Sequence, residues 1–320
     1  MDRTSRHGTL LRTGLAVLAC SAALGTASAA PKLDLSGYTD ASGAITVQHR
    51  GDTVDPYFAL QALWLAQTRG LDISDHALPW ARWLAQHYTA AGHLGRYCKT
   101  GEAWHWCKAP DGDDASLALW LHLLRNLPAS DRQQIPADAL QGRSEQDLQQ
   151  LQVPGQGVYK VSPHWPHSLF MDNLEVWSTL PSQRLSERIR EVFWDAKLGL
   201  FRVSTQAEHP HPGQSFYPDA TAQIYPLLVG YPWVPDGPEQ HYRRWMRQHR
   251  RTWLQQAGHE FPWGLIALVA WQQGDSDTVR CWQQRALPFR HRFFWTVTDE
   301  VVAQLLPPLT PPLPNPKDCQ

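Results

Sequence analysis

Asp111-Gly112-Asp113-Asp114-Ala115-Ser116-Leu117-Ala118-Leu119-Trp120-Leu121 sets three carboxylates directly before an almost uninterrupted apolar run. Asp and Gly are favoured at helix entries, and negative charge there complements the helix macrodipole. The same form recurs at Asp55-Pro56-Tyr57-Phe58-Ala59-Leu60, Asp172-Asn173-Leu174-Glu175-Val176-Trp177 and Asp219-Ala220-Thr221-Ala222-Gln223-Ile224. It returns at Glu260-Phe261-Pro262-Trp263-Gly264-Leu265 and, more weakly, at Asp299-Glu300-Val301-Val302. One acid at a helix start is ordinary capping. Several, each leading a helix that is apolar around its circumference, imply buried helices that point carboxylates at a common mouth.

The rest of the chain fits that reading. Apolar segments at 55–69, 113–126, 168–180, 219–230, 259–273 and 297–306 alternate with amphipathic ones at 75–90, 131–151, 183–194, 238–256 and 275–287. Six apolar helices, five with an amphipathic partner, predict an all-α (α/α)6 toroid of helical hairpins. A solenoid would show a fixed repeat period, and none is visible. Residues 193–201 read as a turn between two short strands. The loops 92–111, 154–167 and 204–218 are rich in aromatic residues and His, and a toroid gathers such loops on one face. No composition break divides residues 30–320, which read as a single domain with a Pro-rich tail at 307–318.

Residues 1–29 read as an export signal: basic Arg3, Arg6 and Arg12, a short apolar core, and Ala27-Ser28-Ala29 as a small-residue cleavage site. A lipoprotein reading also exists, with a lipid anchor at Cys20. The apolar core is too short for a membrane span. The formal net charge of −1 over 320 residues provides no basic field for nucleic acid. In an oxidising compartment the other four cysteines suggest the pairs Cys98–Cys107 and Cys281–Cys319. Metal binding by His93, Cys98, His105 and Cys107 is the alternative, but the spacing matches no standard zinc pattern, so no metal is expected. Nothing resembles a P-loop, a dinucleotide fingerprint or a nucleophile elbow, so no cofactor is expected.

Asp113 and Asp114 exceed what one cap requires. Asp172 and Glu175 lie at i and i+3 on one helix face, and Glu175 sits in an apolar stretch where an unpaired charge is costly. Trp makes up 16 residues. Tyr57, Trp104, Trp106, Trp165, Tyr217 and Trp263 fall near the acidic entries, where flat rings can stack on sugar faces. His164, His167, His209 and His211 share these loops without metal-ligand spacing.

At these residues the chain resembles the six-hairpin glycosidases, nearest to glycoside hydrolase family 8. Asp111-Gly112-Asp113 resembles that family's Asp-Gly-Asp leading an inner helix. Tyr217-Pro218-Asp219-Ala220, followed by Pro226, resembles its Asp-Ala pair after an aromatic loop. The resemblance implies that Asp219 is a general base and that Asp113 holds and distorts the central sugar. The family's general acid is a Glu in Ser-Glu-Gly, whereas this chain has Gly51-Asp52-Thr53-Val54-Asp55-Pro56-Tyr57, so Asp55 would have to protonate the leaving oxygen, or the acid lies elsewhere, or hydrolysis has been lost.

The expectation is an exported glycoside hydrolase that acts on a polysaccharide or oligosaccharide by inversion, with Asp55 as acid and Asp219 as base. Asp113, Asp114, Asp172, Glu175 and the six aromatics would bind substrate. A non-catalytic glycan-binding or scaffold protein is the alternative, favoured by the missing Glu. Asp111-Gly112-Asp113-Asp114 also has the form of a terpene-cyclase proton donor, but the export signal and the short chain disfavour that class. Sugar lyases and unsaturated-uronide hydrolases use the same toroid. The sugar, the linkage and the oligomeric state are not legible in the sequence.

Overall fold

The computed structural model describes residues 29–88, 94–110, 112–206, 215–312, 314–315 and 317–319. The expected export segment 1–29, with Cys20, lies outside the described residues except for Ala29. So do His93, Asp111, His209 and His211. Residues Pro31–Gln320 form one compact unit.

The fold is mostly α. In chain order its helices are α1 (Pro56–Thr68), α2 (Ser74–His87), α3 (Asp113–Asn126), α4 (Ala129–Arg132), α5 (Ala137–Gln150) and α6 (Phe170–Thr179). They continue with α7 (Gln183–Phe193), α8 (Thr221–Val229), α9 (Pro238–Gln256), α10 (Gly264–Gln272), α11 (Ser276–Ala286) and α12 (Val297–Leu305). A π-helical turn, Phe216–Ala220, leads into α8. The strands are β1 (Thr53–Val54), β2 (Arg96–Thr100), β3 (Ala103–Lys108), β4 (Trp194–Asp195) and β5 (Leu200–Phe201).

Helices α1, α3, α6, α8, α10 and α12 are those whose sequences carry no continuous polar face. α1 is buried from Ala59 to Ala66 and α8 from Thr221 to Leu228. Each packs on the next: α1 on α3, α3 on α6, α6 on α8, α8 on α10, α10 on α12, and α12 back on α1. The amphipathic helices lie against this set, with α5 on α3, α7 on α6, α9 on α8 and α11 on α10. α7 shows why: it buries Leu185, Ile189 and Phe193, one stripe at four-residue spacing, and its other residues are half-buried or exposed. The strand–turn–strand reading of 193–201 matches β4 and β5, which pair antiparallel.

The segment 92–111, expected as a loop, instead contains a hairpin. β1, β2 and β3 form an antiparallel sheet in which Tyr97 faces Trp106 and Cys98 faces His105. The alternation in Ala103-Trp104-His105-Trp106 fits a strand, and the Cys98–Cys107 disulfide closes the hairpin. The second disulfide joins Cys281 of α11 to Cys319 in the tail.

The acidic entries turn out to be unequal. Asp55 caps α1, accepting from the Tyr57 N–H at 3.1 Å. Asp299 completes a capping box with Thr296. Asp113, Asp114 and Asp172 occupy first turns without acting as caps. Glu260 is exposed and does not cap α10, whose N-cap residue is Trp263.

Candidate active site

A cavity of about 380 Å³ opens among the N-terminal ends of α1, α3, α6, α8, α10 and α12. That size suits a small-molecule site. Its ionisable lining groups among the described residues include Asp55, Arg96, Asp172 and Asp299. α1 brings Tyr57 and Gln61, α8 brings Tyr225, and α12 brings Thr298.

Behind Asp172, one turn further along α6, Glu175 is fully buried. Its Oε1 accepts from Tyr57 Oη at 2.8 Å, from Gln61 Nε2 at 2.8 Å and from Tyr225 Oη. Gln61 also donates to both hydroxyl oxygens, at 2.7 Å and 3.1 Å, and its own Oε1 accepts from Thr298 Oγ1 at 3.2 Å. Donors from α1 and α8 thus converge on one oxygen of a carboxylate carried by α6, and α12 joins through Gln61, while the other oxygen, Oε2, is buried without a hydrogen bond among the described residues. Gln61 is buried in an otherwise apolar helix.

Gly112 explains how the acids come so close. A side chain there would place its Cβ 3.0 Å from Asp172 Oδ2 and 3.7 Å from Asp114 Oδ1. The backbone of the α3 entry therefore lies directly against the two carboxyls, an approach that glycine permits.

Burial dominates the electrostatics. It pushes the Asp114 carboxyl well above its ordinary range, and the charge of Asp172 adds to the rise. Asp172 is pushed up to about 7 by burial and then by the charge of Glu175. Glu175 is also raised by burial, against the stabilising hydrogen bonds from Tyr225, Gln61 and Tyr57. Asp299 rises to about 6 for the same reason, opposed by the Gly264 N–H, which donates to its Oδ1 at 2.8 Å. A carboxyl poised near neutrality can hold a proton for delivery and take it back.

Asp55 differs in its surroundings. Its Oδ2 accepts from Arg96 Nε at 2.5 Å. Arg96 opens β2, so the disulfide-closed hairpin carries the cation onto the cavity wall. Such a pair favours the carboxylate form.

The expected aromatic platforms separate into two groups. Tyr57, Tyr217 and Trp263 line the cavity. Tyr217 and Trp263 stack with centroids 4.9 Å apart and planes at 23°. Trp263 holds φ 52°, a conformation rare for a bulky residue. Trp104, Trp106 and Trp165 do not line the cavity. Trp104 donates to Asp40 at 3.0 Å, and Trp106 covers the backbone of Gly95. Trp165 stands exposed beside His167.

Among the acids, Asp55 and Asp172 reach the cavity wall, whereas Asp113, Asp114, Glu175 and Asp219 do not. Asp219 Oδ2 accepts from Ser215 N at 3.0 Å and from Ser215 Oγ at 2.8 Å, within its own turn. Arg96, Gln61, Tyr225 and Asp299 were missing from the expected set. Only Asp299 carried a visible signal, as the weakest copy of the recurring acid. Among the described residues no group of three or more His, Cys, Asp or Glu is arranged to hold a metal ion. Cys98 and Cys107 are bonded to each other. No helix of the described residues is long and apolar enough to cross a membrane. No protein-family model and no curated protein matches the chain.

Proposed function

We propose that this protein is an exported glycoside hydrolase of (α/α)6 architecture that acts on an oligosaccharide or polysaccharide. The closed succession of contacts from α1 through α12 back to α1, with amphipathic helices packed against it, supports the toroid. The two disulfides fit an oxidising compartment, and the basic and apolar N-terminal sequence fits export.

One observation carries the enzymatic reading. A carboxyl raised to about 7 and a carboxylate paired with Arg96 line the same cavity. Two acids whose surroundings favour opposite protonation states are what acid/base cleavage of a glycosidic bond requires. Asp172 donates the proton to the leaving oxygen. Asp55 stays anionic and directs water, or stabilises the positive charge that develops on the sugar ring. The stacked Tyr217–Trp263 pair offers its rings to a pyranose face.

The test is release of reducing ends from a panel of glucans, xylans, chitosan and wall glycans, with the first-formed anomer followed by NMR. Turnover with inversion supports the proposal. Binding across the panel without turnover replaces it with the non-catalytic glycan-binding reading.

A further inference from the structure

The cavity continues well past the acids. Along α8 its lining runs from Thr221 through Ile224 and Tyr225 to Leu228, one residue short of the helix end. At 1.5 Å per residue, Thr221 to Leu228 is about 10 Å of depth. α10 lines part of that depth with Ile266 and Val269. Asp55, Asp172 and Asp299 all belong to the N-terminal ends of their helices.

Three polar side chains, Gln61, Tyr225 and Ser116, line the part beyond the first helical turns, and all are engaged, with Ser116 Oγ donating to the Gly112 carbonyl at 2.7 Å. The Gln61 amide serves Glu175, Tyr57, Tyr225 and Thr298. The Tyr225 hydroxyl donates to Glu175. Sugar hydroxyls entering here would give up water for aliphatic walls and hydrogen-bonding groups already in use, which disfavours them. An apolar group gains from the same transfer, and the walls already consist of branched aliphatic side chains.

We propose that the inner end of the cavity binds an alkyl or aryl aglycone, so that the substrate is an amphiphilic glycoside with its sugar at the acids and its apolar group between α8 and α10. The sugar half rests on the hydrolase reading; the apolar half rests on the cavity wall alone. Each methylene that enters should tighten binding by about fourfold.

Calorimetry with n-octyl β-D-glucoside below its micellar concentration, methyl β-D-glucoside and n-octanol tests both halves. The octyl glucoside is expected to bind at least tenfold more tightly than the methyl glucoside, and Val269→Phe, which fills the inner end, should remove that gain. Equal affinity for the two glucosides in the wild type, or a gain that survives Val269→Phe, would overturn the proposal. Octanol binding that Val269→Phe abolishes, with octyl glucoside no tighter than octanol, would keep the inner-end assignment and remove the sugar from the mouth. If Val269→Phe does not fold, Leu228→Ala serves instead. It should move the preferred chain length from octyl to a longer chain, and an unchanged preference would overturn the proposal.

Discussion

Tyr57 Oη donates to Glu175 Oε1 at 2.8 Å, joining the first turn of α1 to the middle of α6. Glu175 needs such donors because it is fully buried, and its charge then acts on Asp172 one turn away. That charge is the second cause of the elevated Asp172, after burial. Asp114 and the hydroxyls of Tyr57 and Tyr225 share the surroundings. Glu175→Gln removes the charge and keeps the shape. The alkaline limb of the pH–kcat profile, expected near 7 in the wild type, should move to lower pH by part of the total rise, because burial persists. Glu175→Ala should in addition destabilise the fold by about 1–3 kcal/mol, since buried donors lose their acceptor. An unmoved limb in Glu175→Gln would separate Glu175 from the proton donor.

Asp299 makes stability depend on pH. Its folded value of about 6 lies above the ordinary 3.8, so the folded chain holds this proton more tightly than the unfolded one. The contribution is fully present below about 4 and is lost as pH rises through about 6. The difference of roughly two units corresponds to about 3 kcal/mol. Buried His241 and half-buried His122, lowered by desolvation, act in the opposite sense as pH falls. The informative quantity is therefore the difference between wild type and Asp299→Asn in urea unfolding. The stability of wild type relative to the variant should fall between pH 4 and pH 7. A constant difference would contradict the protonated Asp299.

The two disulfides should separate in their effects. Cys98–Cys107 closes a loop with a sequence separation of 9, and Cys281–Cys319 one of 38. Loop-closure entropy gives about 2.7 kcal/mol for the first and about 4 kcal/mol for the second. Replacing Cys281 and Cys319 by Ser should lower Tm more, yet leave turnover intact. Replacing Cys98 and Cys107 should lower Tm less and reduce turnover, because the hairpin that holds Arg96 against Asp55 loosens.

Trp263 combines a positive φ with a ring in the cavity wall. Trp263→Gly and Trp263→Ala both remove the platform and should raise KM for the sugar by about two- to tenfold, the usual worth of a stacked ring pair. Only glycine relaxes the backbone, so the Gly variant should be more stable than the Ala variant by about 1 kcal/mol in denaturant unfolding. The reverse order would show that the backbone at this position is unstrained.

Much of the helical order was legible because periodicity reports burial directly. The run Ala59-Leu60-Gln61-Ala62-Leu63 has no polar face, and Leu185, Ile189 and Phe193 repeat at helical spacing. The hairpin at 96–108 was obscured because its Trp and His residues resemble loop platforms as readily as strand residues. The site was legible only in part, since local sequence does not state direction. Asp55, Asp172 and Asp219 share one sequence form, yet Asp219 turns back to Ser215 while the other two reach the cavity. Arg96 and Gln61 come to the site from segments that carry no acidic signal, through strand pairing and helix packing that join distant parts of the chain.

The most direct measurement is the turnover of Asp172→Asn beside Asp219→Asn on a sugar that the wild type hydrolyses, with folding checked by circular dichroism. Asp172→Asn should lose about 10²–10⁴ in kcat with little change in sugar binding, the usual contribution of a general acid. Asp219→Asn should retain most of its turnover. Wild-type-like turnover in Asp172→Asn, with activity lost in Asp219→Asn, would contradict Asp172 as the proton donor and return the chemistry to Asp219.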